Sequence, residues 1–233
     1  SLLNAISQQF PHRRQLARQK RQFSKVGMAF VGAVEVTAAR GHEQAARLAV
    51  AIRAGVLPWR IDVLYTSLMT RAVQTAAPHA EALDLPLHTL DIFESGGLFE
   101  EDPDTGERTA YPGANRSGLL ALSPRLELAD DIGEHGWWRR DVERDDEHLA
   151  RAQRVLREVT TRHPDDAVIA LVTHGHFTQY LVRVFLGIEA IRGWIAIDNT
   201  AVTLMETRTD YPDSPLAVRI NWTPHLSEDE RTT

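Results

Sequence analysis

The stretch "AVIALVTHGHF" carries a mostly apolar run straight into His174, Gly175 and His176, after which an amphipathic pattern begins. An imidazole at the end of such a run has three chemical uses. It can bind a metal together with His176, serve as a catalytic or anion-binding group, or simply end the strand as a satisfied core residue. A second stretch, "VLYTSLMTR", places Arg71 in the first turn after another short apolar run. The helix macrodipole repels cations at a helix start, so an arginine tolerated there points to an anion nearby. An imidazole and a guanidinium beside two helix N-termini make an anion site, and phosphate suits it. His-x-His is also a metal-ligand spacing, but no carboxylate or cysteine lies close in sequence to complete a set. The phosphate reading is preferred, and no metal or other cofactor is expected.

The elements that must position these residues are legible in outline. In "TAARGHEQAARLAVAIRAGV", Ala45, Leu48, Ala49 and Ile52 recur at helical spacing, and Gly55 is placed to stop the helix. "RIDVLYTS" predicts a short buried strand that runs into the amphipathic helix "LMTRAVQTAAPHAEAL". "LPLHTLDIF" predicts a further strand and "EHLARAQRVLREVTTRH" a further helix. "WIAIDNTAVTLMET" suggests one or two strands and "LAVRINWTPHL" a last one. Upstream, "VGMAFVGAVEV" has the composition of a strand. Strands alternating with helices predict an α/β fold of three layers (αβα), with a mostly parallel sheet and helices on both faces. Sites in such sheets form at the carboxyl ends of strands, where His174 and Arg71 both fall.

At 233 residues, 43% hydrophobic and 25% charged, the chain suits one sizeable domain spanning 1–233. No apolar run approaches a membrane span, no signal-peptide pattern is visible, and no membrane partner is expected. Cysteine is absent, which excludes disulfides and thiol nucleophiles and fits a reducing, cytoplasmic setting. Residues 1–34 form an atypical basic segment with six Arg and Lys residues and no acid; the net charge of −6 therefore leaves −12 on the remainder. The acidic body argues against nucleic-acid binding. Three explanations of the basic run 13–25 stand side by side: a solvated helix face, a targeting arm or a nucleic-acid contact, the first being preferred. Residues 94–145 are long, acidic and marked by Gly and Pro, which suggests a lid-like insertion. Within it, Trp137 and Trp138 either cover the site or belong to the core.

Taken together, these stretches resemble the histidine phosphatase superfamily, the phosphoglycerate-mutase-like fold. "VTAARGHEQAARLA" looks like its Thr-x-x-Gly-x-x-Gln-Ala helix, and "LYTSLMTRAVQTA" like its Ser-x-x-x-Arg-Ala-x-x-Thr-Ala block. "LVTHGHF" resembles its late His-Gly block, and "DNTAVT" the strand pairing that follows. The insertion looks more like the phosphatase branches than like the glycolytic mutases, so a phosphoglycerate-type mutase is a lesser alternative.

The resemblance implies hydrolysis of a small phosphorylated metabolite through a phosphohistidine. A neutral imidazole attacks phosphorus, arginines and a late histidine hold the phosphoryl oxygens, and a carboxylic acid protonates the leaving alkoxide. It makes His174 the late histidine beside Gly175, Arg71 a phosphate-binding arginine, and Glu94 the proton donor. Glu94 stands directly after "LDIF" and before Gly96 and Gly97, whereas Glu100, Glu101, Asp102 and Asp104 suit a solvated surface.

The family's early Arg-His-Gly motif is missing. His12, in "FPHRRQL", is the only histidine upstream of Thr37 and the candidate nucleophile, with Arg13 a candidate phosphate ligand. That departure keeps a second expectation open: a phosphate-binding pseudoenzyme of the same fold. Without a central strand from residues 1–34 the sheet would expose an edge, and on that premise a homodimer is expected.

Overall fold

The computed structural model describes residues 25–32, 39–208 and 211–233. Its main sheet has six strands. β1 (Lys25–Gly32), β2 (Val63–Thr66), β3 (Leu87–Thr89), β6 (Val168–Thr173), β7 (Val202–Arg208) and β8 (Tyr211–Trp222) are arranged in the order β3-β2-β6-β1-β7-β8. The three pairings from β3 to β1 are parallel, and the two that add β7 and β8 are antiparallel. The sheet is therefore mixed, with a parallel half that carries the helical crossovers.

The strand β6 explains why. All six of its residues, "VIALVT", are buried, as a strand covered on both faces requires. Val168, Ala170 and Val172 point into one apolar cluster, which holds Leu48 and Ile52 of α1 (Ala39–Arg53) and Val73, Ala76 and Ala80 of α2 (Thr70–Leu83). Ile169 and Leu171 point into the other, which holds Ala152, Val155 and Val159 of α4 (His148–Arg162) and Phe177, Leu181 and Val182 of α5 (Gly175–Leu186). One strand thus anchors both helical layers.

The helices are shaped by the same demand. In α1 the buried residues are Gly41, Gln44, Ala45, Leu48, Ala49 and Ile52, a single stripe at three- and four-residue steps. In α4 the stripe is His148, Arg151, Ala152, Val155, Leu156 and Val159. Two of those six are ionisable, and they face a region built by the insertion.

β1 lies at the centre of the sheet, parallel to β6 with Gly32 opposite Thr173 and antiparallel to β7. The gap that would have exposed a strand edge is filled. Residues 194–199, expected as strand, are irregular, and of "LPLHTLDIF" only Leu87–Thr89 pairs. No helix among the described residues is long and apolar enough to cross a membrane.

The stretch 94–145 contains a ribbon, β4 (Phe99–Glu101) with β5 (Arg108–Ala110), and the short helix α3 (Arg116–Leu120). It also extends the sheet edge, because Leu87 donates to the Arg125 carbonyl and accepts from Glu127. Leu98, Leu119, Leu126, Ile132, Trp137 and Trp138 enter the first core cluster. Of the two readings of the tryptophans, core is the observed one: their rings pack edge-on with each other and with or beside Phe93.

Gly96 and Gly97 follow Glu94 with φ of 88° and 81°, and both are buried. A Cβ at Gly97 would overlap the Trp138 ring. This turn is fixed by packing rather than loose. Gly97→Ala is expected to cost about 2 kcal/mol from backbone strain and overlap together. That corresponds to a fall of about 4–8 °C in Tm for a chain of this size, measurable by thermal denaturation.

Candidate active site

His174 stands at the junction of β6 and α5, in extended conformation, and Gly175 begins the helix. Its ring is 1% exposed. Nδ1 accepts a hydrogen bond from Arg71 Nε at 3.1 Å, and Nε2 lies 3.0 Å from Ser67 Oγ. Arginine only donates, so Nδ1 must present its lone pair and the proton belongs on Nε2, pointing at the serine. Ser67 Oγ in turn accepts from the Met69 amide at the start of α2. Burial, followed by the positive charges of Arg71 and Arg151, pushes His174 well below the ordinary imidazole range. It is a neutral imidazole at pH 7.

A cavity of about 600 Å³ opens beside this ring at the carboxyl ends of β1 and β6. Arg71, Glu94, His174, Gly175, His176 and Trp194 contribute to its walls. Gly32, the last residue of β1, also borders it, and a Cβ there would crowd the Asp198 carbonyl at 2.9 Å. A guanidinium, a helix start and a neutral imidazole therefore share one hollow, which is what an oxyanion needs.

Glu94 lines the same hollow, beside the first turn of α5. Its Oε1 accepts from the Ser95 amide at 2.8 Å and from the Phe177 amide, in the first turn of α5, at 3.1 Å. One carboxylate oxygen thus completes the helix terminus, where a negative group is favoured. Among the described residues nothing hydrogen-bonds to Oε2. That geometry leaves one oxygen for proton transfer.

The sequence placed Arg71, Glu94, His174 and Gly175 in the site, and the structure brings these four to one cavity. His12 and Arg13 lie outside the described residues. His176, the other half of His-x-His, does not share a ligand set with His174. Its ring packs against Trp194 at 4.5 Å and against Tyr180 and His148 at 5.7 and 5.8 Å. No group of three potential metal-ligating side chains occurs among the described residues.

Four contributors escaped sequence reasoning. Ser67 was visible only as the first letter of a spaced block. Trp194, 69% exposed at the mouth, carries no signal in its neighbourhood. Arg151 and Glu143 are joined by two hydrogen bonds of 2.6 and 2.7 Å. Their one trace is the appearance of Arg151 on the apolar stripe of its helix.

The sequence pattern of the histidine phosphatase superfamily (branch 1) matches residues 37–222. The chain belongs to that superfamily. Its membership supports the expectation of a phosphatase-type enzyme. The fold resembles that of a mycobacterial glucosyl-3-phosphoglycerate phosphatase, with TM-score 0.53 and 17% identity over 86% of this chain and 100% of that one. It also resembles a phosphoserine phosphatase variant from Entamoeba histolytica bound to phosphoserine, with TM-score 0.51 and 17% identity over 87% and 99% of the two chains. Comparison with curated protein sequences gave no match.

Buried neutral histidines make this superfamily member sensitive to acid. His79, on the inner side of α2, is 1% exposed and is lowered by burial to about 4. The unfolded chain takes up a proton near pH 6.5 that the folded chain refuses until far lower pH. Stability is therefore full above about pH 6.5 and falls as the pH drops toward 4. Between pH 7.5 and 5, His79 alone accounts for about 2 kcal/mol of that loss. Urea denaturation at the two pH values is expected to show a shallower pH dependence in His79→Gln than in the wild type, whatever the variant's absolute stability.

Proposed function

We propose that the chain is a phosphomonoesterase acting on a small phosphorylated metabolite through a phosphohistidine. The observation that carries this reading is the convergence of Arg71, His174, the start of α5 and the Glu94 carboxylate on one cavity. In the first step an imidazole nitrogen attacks phosphorus and the P–O bond to the alcohol breaks. The departing alkoxide takes its proton from Glu94. In the second step Glu94, now a carboxylate, removes a proton from water. That water attacks phosphorus, the P–N bond breaks, and inorganic phosphate leaves. Arg71 and His174 hold the phosphoryl oxygens throughout, where negative charge develops.

The attacking imidazole is assigned to His12. It lies thirteen positions before Lys25, which is the end of β1 remote from the cavity. Thirteen residues span at most about 45 Å when extended, and β1 covers about 26 Å at strand rise. Chain length permits the return.

A second reading is favoured by a specific observation. β1 is the strand beside β6, its Gly32 end borders the cavity, and the sequence from 25 to 38, "KVGMAFVGAVEVTA", holds no histidine. On that basis the same pocket would bind phosphate without turning it over.

Turnover of p-nitrophenyl phosphate without added metal separates the two. The phosphatase reading expects release of nitrophenolate by the wild type, with losses of at least about a hundredfold in His12→Ala and His174→Ala. An inactive wild type that binds vanadate, with binding lost in Arg71→Ala, supports the pseudoenzyme. Wild-type activity that survives both histidine substitutions would sink the assignment of the site.

A further inference from the structure

Glu94 is carried by an irregular segment between β3 and the turn at Gly96, and irregular backbone does not by itself hold a side chain to a fraction of an ångström. Its neighbours do. Arg151 is fully buried, and its guanidinium lies between the rings of Phe93 and Phe177, 3.7 and 3.6 Å from their centroids. Phe93 precedes Glu94, and Phe177 is the residue whose amide binds the Glu94 carboxylate.

The same guanidinium donates to the carbonyls of Asp91 and Phe93 at 3.1 and 2.9 Å. Its remaining face grips both oxygens of Glu143. Glu143 then returns to the segment, since its own amide donates to the Gly96 carbonyl at 3.0 Å. His148, one turn earlier on α4, accepts from the Gly96 amide at 3.2 Å. The stretch 91–96 is thus fastened on both sides of Glu94 by α4 and the end of the insertion, in addition to the Thr173 hydroxyl on the Ile92 carbonyl and the Phe177 amide on Glu94 itself.

We infer that Arg151, paired with Glu143, is the positioning residue for Glu94 as proton donor. It fixes the carboxyl relative to α5 without touching the substrate. A planar guanidinium suits this place because it can stack between two rings, donate in its own plane to two carbonyls, and still take a bidentate carboxylate. A lysine could do one of these at a time. Glu143 keeps the buried charge compensated. The inference rests on the proposed phosphatase reading, in which Glu94 protonates the leaving alkoxide.

The test exploits leaving groups. Nitrophenolate departs with little help from an acid, whereas an alkoxide needs its proton. Kinetics on p-nitrophenyl phosphate and on glycerol phosphate are compared for the wild type, Glu94→Gln, Arg151→Lys and the double variant Arg151→Met/Glu143→Leu. The double variant replaces a buried ion pair with apolar groups of similar size, a change that often preserves stability, and its thermal transition reports whether the fold is kept. Arg151→Lys and the double variant are expected to follow Glu94→Gln. Their kcat on glycerol phosphate should fall about a hundredfold, at least ten times more than on the aryl ester, with little change in KM. Equal losses on both esters, or no loss on either, would overturn the inference while leaving the phosphatase reading standing. A wild type that hydrolyses neither ester would instead remove the phosphatase reading, and this inference with it.

Discussion

A guanidinium buried beneath a helix is the constraint around which much of this molecule is organised. Removing Arg151 from water costs several kcal/mol unless a carboxylate and further acceptors replace the lost hydration. No acceptor set of that kind exists on α4 itself. The chain provides it by folding the end of the insertion back, so that Glu143 meets Arg151, and by turning the carbonyls of Asp91 and Phe93 inward. Burial pushes the Arg151 proton affinity down, while Glu143 holds it up. With two aromatic rings over its faces, the cation joins the segment after β3, the end of the insertion, α4 and α5 at one point.

This explains which parts of the fold were legible beforehand. The helices α1 and α2 and the β6–α5 junction are written in local pattern: stripes of apolar residues, Gly55 as a stop, and an unbroken apolar run before His174. The strands of the parallel half follow from burial on both faces. What the pattern could not carry is sequence-distant pairing. The apolar content of "VGMAFVGAVEV" marks a strand, but nothing in it says that the strand sits between β6 and β7. Nor does the acidic, Gly-rich composition of 94–145 disclose that Leu98, Leu119 and two tryptophans within it belong to the core. Solvated residues outnumber buried ones there, so the average conceals the anchors.

The site divides along the same line. His174 and Arg71 sit at strand-to-helix junctions, where topology alone brings side chains together, and those are the positions that sequence grammar identifies. Glu94 depends on contacts from residues about fifty to eighty positions away, among them His148, Arg151 and Phe177. The two glycines that follow it do not make the segment loose, because the positive φ angles there serve close packing against Phe99 and Trp138. Glycine marks a backbone requirement, and packing decides whether that requirement brings freedom or rigidity.

The hydrogen bond between Arg71 and His174 also bears on how the pocket would receive an anion. In the free protein the guanidinium spends one donor on the imidazole lone pair, and the imidazole proton goes to Ser67. A phosphoryl group competes for both. The guanidinium has further N–H groups and can turn them to phosphate oxygens while keeping its contact with the ring. The imidazole is more constrained: to donate from Nδ1 it must lose the arginine's donation and gain a proton that burial and two positive neighbours oppose. A doubly charged anion a few ångströms away favours that proton by about 4 kcal/mol per unit charge at an effective dielectric near 20, which works against that opposition. Under the proposed function phosphate therefore draws His174 from its neutral resting form toward the cation, so the charge that stabilises the phosphoryl group is favoured by the ligand's own arrival.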